Sequence, residues 1–370
     1  MGLQRILALA LKEFLALLKD KRSRMVIIVP PMIQLLVFGY AASFDLNRIP
    51  FAVYDRDGGY AARELLAGFT GSPHFELQRR IGSNAEIADL IDRREVMLVL
   101  QIEPRFTARL SSGESAPLQL LVDGRNSNTA QIANHYAAQI VSDFNTRWNE
   151  THGLPQPPAR LVTRAWFNPN LESRWFFIPG VVGILTLVVT MVVTALSVAR
   201  EREQGTFDQL LVTPLRPVEI LIGKALPGLI IGLVEGSLVI TLAVFWFQVP
   251  LQGSLFTLYT GIALFLLAAV GVGLMISSLC VTLQQALLGA FLFLVPAVIL
   301  SGFATPIANM PPLVQMITYA NPMRYYLITL RGVFLEGATL PMLLPQLWPL
   351  GVIALVTLAL AGWLFRHRMY

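Results

Sequence analysis

Residues 175–199 read WFFIPGVVGILTLVVTMVVTALSVA, and residues 200–214 read REREQGTFDQLLVTP. The first stretch carries no charge. A helix needs about 20 mostly apolar residues to cross the hydrocarbon of a bilayer, so this stretch predicts a transmembrane span that ends abruptly in alternating charge. Met25–Phe44, Leu255–Cys280, Ala286–Phe303 and Leu343–Phe365 repeat the pattern without a charge, and Ala225–Val249 repeats it with one, Glu235. The expected fold is an α-helical polytopic membrane protein with six transmembrane helices. Composition agrees: mean hydropathy is +0.60, and 14% of residues are charged, against roughly 25% in a soluble chain.

The charge is unevenly placed. Residues 45–174 hold 29 of the 51 charged side chains, which predicts a soluble domain inserted between spans one and two. Strand patterns at Ile49–Asp55, Phe75–Ile81, Val96–Ile102, Leu118–Val122 and Leu161–Phe167 alternate with helical ones. The helices are expected at Tyr60–Phe69, from a Ser83/Glu86 capping box to Arg93, at Pro104–Leu110 and over Asn128–Trp148, before Pro155-Gln156-Pro157-Pro158 breaks the pattern. This is an α/β domain large enough for its own core. The single cysteine, Cys280, offers no intramolecular disulfide to help it.

Orientation follows the basic residues. Residues 1–24 contain six Lys or Arg against Glu13 and Asp20, and Leu3–Leu18 has the pattern of an amphipathic interfacial helix. No small-residue cleavage site follows it, so it is not read as a cleavable signal peptide. With the N-terminus inside, six spans return the C-terminus inside, and Lys12, Lys19, Lys21, Lys224, the 200–219 loop and Arg366/Arg368 all face the cytoplasm. The insert, in which 14 Arg balance 15 acids, is then extracytoplasmic. The basic excess sits beside membrane segments, which excludes nucleic acid as the expected partner and leaves the lipid bilayer. The expected layout is an interfacial helix (1–24), span one (25–44), the extracytoplasmic domain (45–174), span two (175–199) and a cytoplasmic loop (200–224). Spans three to five (225–303), a proline-rich outer segment too polar to span (304–342), and span six with its tail (343–370) complete it.

No catalytic or metal constellation is present. There is no G-x-x-x-x-G-K-[ST], Gly223-Lys224 lacks the upstream glycine, and His74, His135, His152 and His367 are scattered. Asp55 and Asp57 are explained by a glycine-rich turn. The informative segment is 200–214. Gly205 should stop the extension of span two, Thr206 should cap a short helix over Phe207–Val212, and Leu210, Leu211 and Val212 should form an apolar knob. Two readings fit that knob equally, a groove on another protein or a capped interfacial turn.

Glu201, Glu203, Gly205, Thr206, Leu210, Thr213 and Pro214, followed by Gly223-Lys224, match E-x-E-x-G-T-x-x-x-L-x-x-T-P and its trailing Gly-Lys. That loop resembles the one between spans two and three of permease subunits of type 2 ABC exporters. Asn168–Arg174 leading to Pro179-Gly180, and Ser301-Gly302-Phe303 through Pro306-Ile307, Asn309-Met310-Pro311, Tyr319, Asn321-Pro322 and Arg324-Tyr325, resemble the subfamily with a large external domain after span one. The resemblance implies a non-enzymatic transport subunit in the bacterial inner membrane. It further implies a second permease chain, identical or paralogous, and separate cytoplasmic ATPase subunits that bind ATP and Mg; no cofactor is expected on this chain. A periplasmic membrane-fusion adaptor is a further expected partner. Coupling to the ATPase is expected at Glu201, Glu203, Gly205, Thr206, Leu210, Leu211, Thr213, Pro214, Gly223 and Lys224. The expected activity is export of a hydrophobic or amphipathic compound.

Within the spans, Glu235 stands out, because an intramembrane charge costs about 2.5–3.5 kcal/mol on insertion scales. A transport path and a structural or gating hydrogen bond are both open readings for it. Gly228, Gly232 and Gly236 make a small-residue stripe expected to serve contact within the chain in preference to a dimer seam, and Pro227 and Pro296 offer kinks for rearrangement. Two other classes make different demands on the sequence. A secondary transporter predicts an inverted repeat and several midplane charges, and a ligand-sensing membrane receptor needs a cytoplasmic signalling module; neither signal is found.

Overall fold

The structure is a computed structural model that describes residues 2–19, 21–41, 48–154, 166–169, 172–207, 213 and 215–367. The chain divides into two units, Met1–Ser43 with Ala165–Tyr370, and Phe44–Arg164. Helix α1 (Gly2–Lys19) opens the first unit and α2 (Lys21–Ala41), with Pro30 and Pro31 inside it, follows. One face of α1, through Leu9, Glu13 and Leu17, is buried at a four-residue spacing. A second face, Leu3, Leu7, Leu11, Leu15 and Leu18, is exposed. Such a helix has one side for protein and one for lipid.

The second unit is a mixed four-stranded sheet with helices on both faces. In chain order its elements are β1 (Ile49–Asp55), α3 (Tyr60–Thr70), β2 (Phe75–Arg80), α4 (Ala85–Asp92), β3 (Leu98–Ile102), α5 (Phe106–Ser111), β4 (Leu118–Val122) and α6 (Ser127–His152). The strand order is β2-β1-β3-β4, with β1 parallel to β2 and β3, and β4 antiparallel to β3. All five residues of β3 are buried, as a strand covered on both faces requires. Phe51, Val53, Leu98, Leu100 and Ile102 point toward α3 and α6, while the alternate Ala52 and Val99 meet Ile87 and Leu90 of α4. Phe51, Phe69 and Phe75 touch one another with ring centroids 5.1–5.9 Å apart. The Ser83/Glu86 box forms on one side only. Glu86 Oε1 accepts from the Ser83 N–H at 3.0 Å, but Asn84 takes the N-cap position. Asp55 Oδ1 accepts from the N–H groups of Asp57 and Gly58, so the turn is closed by its own aspartates. Most of the expected strand at Leu161–Phe167 lies outside the described residues, as does the Pro155–Pro158 break.

The first unit resumes with α7 (Ser173–Glu203), α8 (Pro217–Phe245), α9 (Leu255–Leu279) and α10 (Leu283–Ile299). A 3₁₀ turn at Ile307–Asn309, α11 (Pro312–Thr318), α12 (Pro322–Arg331), a π-helical turn at Gly332–Glu336 and α13 (Leu340–His367) complete it. Among the described residues, α7, α8, α9 and α13 are long and apolar enough to cross a membrane, and Ile28–Tyr40 and Leu283–Ile299 are shorter apolar helices. The proline-rich segment expected at the outer face is built from short helices. Asn321 caps α12 by accepting from the Met323 N–H at 3.0 Å, and its amide donates to Ala297 O at 2.7 Å.

Helix α7 is buried along most of its length and forms the centre of this unit. Thr186, Thr190 and Thr194, spaced by four, lie against Gly236, Gly232 and Gly228 of the antiparallel α8. The stripe therefore serves contact within the chain, with small residues letting two backbones approach. A Cβ on Gly232 would run into Thr190 Oγ1 and come within 2.6 Å of Leu266 Cδ2, whereas one on Gly236 would sit 3.4 Å from Thr186 Oγ1.

Gly232→Ala should therefore destabilise the detergent-solubilised protein by about 1–3 kcal/mol, the usual cost of overpacking. Gly236→Ala should cost clearly less. A thermal melt in which both variants match the wild type would contradict this packing. Residues 44–164, having their own two-sided core, should melt cooperatively when expressed alone and followed by circular dichroism. Phe51→Ala should remove about 3–5 kcal/mol and abolish that transition.

Candidate functional site

Gly205 sets where α7 stops. With φ of +69° it occupies the left-handed region, which glycine enters without steric cost. Gly205 N–H donates to Arg202 O at 3.1 Å and Thr206 N–H to Glu201 O at 3.0 Å. These two bonds are the pair that closes a Schellman helix end. Arg200 to Glu203 are therefore the last turn of a helix and not a loop as expected, with Arg200 and Arg202 beside its negative end. The Thr206 hydroxyl donates back to Glu201 O at 3.4 Å.

The same turn holds the junction between α9 and α10. Arg202 Nη1 donates to Ser278 O at 2.9 Å and Cys280 O at 3.2 Å, the carbonyl end of α9. Glu203 Oε2 accepts the Leu283 N–H at 2.5 Å, the amide end of α10. Each charge meets the helix end of opposite sign. Arg202 also covers Phe207 at 4.9 Å, and Phe207 packs edge-on against Phe365 with centroids 6.0 Å apart.

Glu201 is 5% exposed and Lys224 1%. Lys224 Nζ lies 2.9 Å from Glu201 Oε2 and 3.1 Å from Glu13 Oε1 on α1, and it also donates to Ser197 O at 3.4 Å. Lys12 Nζ donates to Glu201 Oε1 at 2.8 Å. Two ammoniums and two carboxylates thus make a neutral cluster that joins α1, the end of α7 and the first turns of α8. Burial pushes the Glu13 carboxyl above the ordinary range, against the pull of Lys224. Burial works against the charge on Lys12, but the hydrogen bond and charge of Glu201 outweigh it and hold Lys12 above its ordinary value. Gly223 completes the contact, since a Cβ there would come within 2.7 Å of Leu9 Cδ2 on α1. A groove of about 680 Å³ opens beside the cluster, lined among others by Arg5, Lys12, Glu13, Gln204, Thr206 and Thr213.

The start of α8 is fixed by Pro217 at its first turn and by a box in which Glu219 Oε2 accepts from the Arg216 N–H at 2.9 Å. Gly223 and Lys224, expected in the loop, therefore sit in the helix. The structure brings together Glu201, Thr206, Thr213, Gly223 and Lys224, while Glu203, in the same turn as Glu201, is directed to the start of α10. Leu210, Leu211 and Pro214 lie outside the described residues, as does all of the expected short helix except Phe207. Glu235 is buried further along α8, about 16 Å from Lys224 at 1.5 Å per residue. Pro227 lies inside α8 and Pro296 inside α10, both away from the cluster. The sequence reading missed Lys12, Glu13, Arg202 and Phe207 as site residues. Glu13 carried a signal, since it falls between Leu9 and Leu17 on the repeat of the buried face. Among the described residues no group of three His, Cys, Asp or Glu is placed to hold a metal.

A family model described as "ABC-2 family transporter protein" matches residues 21–363. The chain is similar to the "Probable multidrug ABC transporter permease YbhR" of Escherichia coli K12, at 40% identity over 366 residues covering 99% of both chains. It is also similar to the "Probable multidrug ABC transporter permease YbhS" of the same strain, at 33% identity over 341 residues covering 90% of this chain and 89% of the relative. The "Inner membrane transport permease YhhJ" is 30% identical over 376 residues, with 97% and 96% covered. The chain, a multi-pass membrane protein by its apolar helices, belongs to the ABC-2 family of transporter proteins.

Proposed function

We propose that this chain is the permease subunit of an ATP-driven ABC exporter in a bacterial inner membrane. It would move a hydrophobic or amphipathic compound outward, with a second permease chain completing the path. The names of the relatives, multidrug permeases among them, support the reading. In it α2 and α10, the two shorter apolar helices, cross the membrane together with α7, α8, α9 and α13, giving six spans. Both termini are then cytoplasmic and the α/β unit extracytoplasmic, where it gates the exit or docks a membrane-fusion adaptor. ATP and Mg belong to a separate ATPase subunit, since this sequence contains no phosphate-binding loop.

The observation that carries the coupling role is the Lys12–Glu13–Glu201–Lys224 cluster, in which Glu13, Glu201 and Lys224 are buried and Lys12 closes the solvent side. It fastens the interfacial helix α1 to both helices flanking the 204–216 segment. A push on that segment by a cytoplasmic partner would therefore move α1, α7 and α8 as one body. Leu210 and Leu211 are assigned as the knob that the partner grips.

Pull-down of the tagged chain from mildly solubilised membranes should recover an ABC ATPase subunit, and Leu210→Asp should lose both the ATPase and export. Recovery of no ATPase, together with unchanged export in the variant, refutes the coupling role. Lys224→Met leaves two buried carboxylates against one ammonium and should cost about 3–5 kcal/mol, the penalty of an uncompensated buried charge. Adding Glu13→Gln restores neutrality and should recover part of the melting temperature. A double variant less stable than Lys224→Met would rule out charge balance as the function of the cluster.

A further inference from the structure

Most buried hydroxyls in the helical unit bond to their own helix. Thr186 donates to Val182 O, Thr194 to Thr190 O and Ser278 to Leu274 O, each at 2.7 Å. Thr190 and Tyr326 do not. The Thr190 hydroxyl and both carboxylate oxygens of Glu235 are cut off from solvent and lack a hydrogen-bond partner among the described residues, and the equally buried Tyr326 hydroxyl has only Thr186 within reach. Glu235 is 7% exposed, and Thr190 and Tyr326 are fully buried. Buried polar groups are as a rule hydrogen-bonded, so each exception needs a reason.

Apart from Arg331, whose guanidinium lies over the Phe176 ring, and Glu201 Oε2 beside Lys224, the exceptions in this unit lie on neighbouring turns. Thr190 faces Gly232, three residues before Glu235, and Thr186 faces Gly236, the residue after it. The Tyr326 hydroxyl lies beside Thr186 and within electrostatic reach of Glu235. The Tyr326 ring is fixed by stacking on Phe265, with centroids 3.9 Å apart and planes 14° from parallel. Three helices therefore direct oxygen atoms to one place, deep in the apolar core formed by Phe265, Leu266 and Val239. Lys224, the cation on the same helix, is already bonded to Glu13 and Glu201.

We propose that Glu235, Thr190 and Tyr326 form a membrane-embedded site for the ammonium group of a cationic amphipathic substrate. This deepens the exporter reading and rests on it. An ammonium brings the positive charge that Glu235 lacks and N–H donors for the carboxylate and both hydroxyl oxygens. The surrounding aromatic and aliphatic walls suit the apolar body of such a molecule and offer nothing to a hydrated metal ion. The site is closed in this conformation. It opens when α7 and α8 part along the glycine–threonine seam, where α8 has no side chain to interlock.

The test is equilibrium binding to the purified full-length chain in detergent, using a naphthylalkylammonium and its neutral N-acetyl analogue. The wild type should bind the cation at least tenfold more tightly than the neutral analogue. Glu235→Gln should remove that preference, and Tyr326→Phe should reduce it severalfold, with both variants eluting as folded protein. Equal affinity of the two probes for the wild type overturns the proposal, and so does a preference that survives Glu235→Gln. Saturable binding of an alkali-metal ion without binding of the ammonium overturns the substrate class. Failure of the exporter reading appears separately, as absence of an ATPase partner from a chain that still binds the probe.

Discussion

A primary ammonium with almost no exposed surface, at Lys224, is the constraint around which the helical unit is arranged. Removing such a charge from water costs several kcal/mol, and only close partners with good geometry offset it. Glu201 and Glu13 supply those partners from α7 and α1, and Lys12 balances the remaining charge. None of the three helices can shift by a turn without leaving one of these charges uncompensated. The cluster thus defines register, where the apolar surfaces alone would tolerate sliding.

The glycine–threonine seam has the opposite character. Packing between α7 and α8 there relies on close backbone approach, and two of its threonine hydroxyls bond within their own helix. At the Glu201–Lys224 end the same pair of helices is held by charge. A joint fixed at one end and smooth along the rest is suited to parting by rotation about the fixed end.

The apolar runs were readable in the sequence because hydrocarbon length and uniform hydrophobicity dominate every residue in them. Gly205 was readable for a different reason, since a glycine after a charged helical end has few other uses. The cluster was not readable. Glu201 and Lys224 were singled out by motif, but their partner Glu13 lies 211 residues from Lys224, and nothing local reveals a pairing at that distance. Placing Arg200–Glu203 in a loop underrated the helix. Charges end a membrane span without ending the helix, and Arg200 and Arg202 favour its last turn. Arg202 and Glu203 also looked like generic alternating charge, and their roles at the ends of α9 and α10 emerge only once those ends are adjacent.

The two faces of α1 bear on how the protein is made. Synthesis delivers Glu13 long before the ribosome has reached Lys224, so the nascent helix carries a carboxylate destined for burial with no counter-charge yet available. The leucines of its other face provide a holding place, keeping the young helix against the lipid surface while Glu13 stays in water. Insertion of α8 then brings Lys224 to it. Ion pairing becomes a mid-course check that α1 and the start of α8 have arrived at the same face of the membrane before the remaining helices are added.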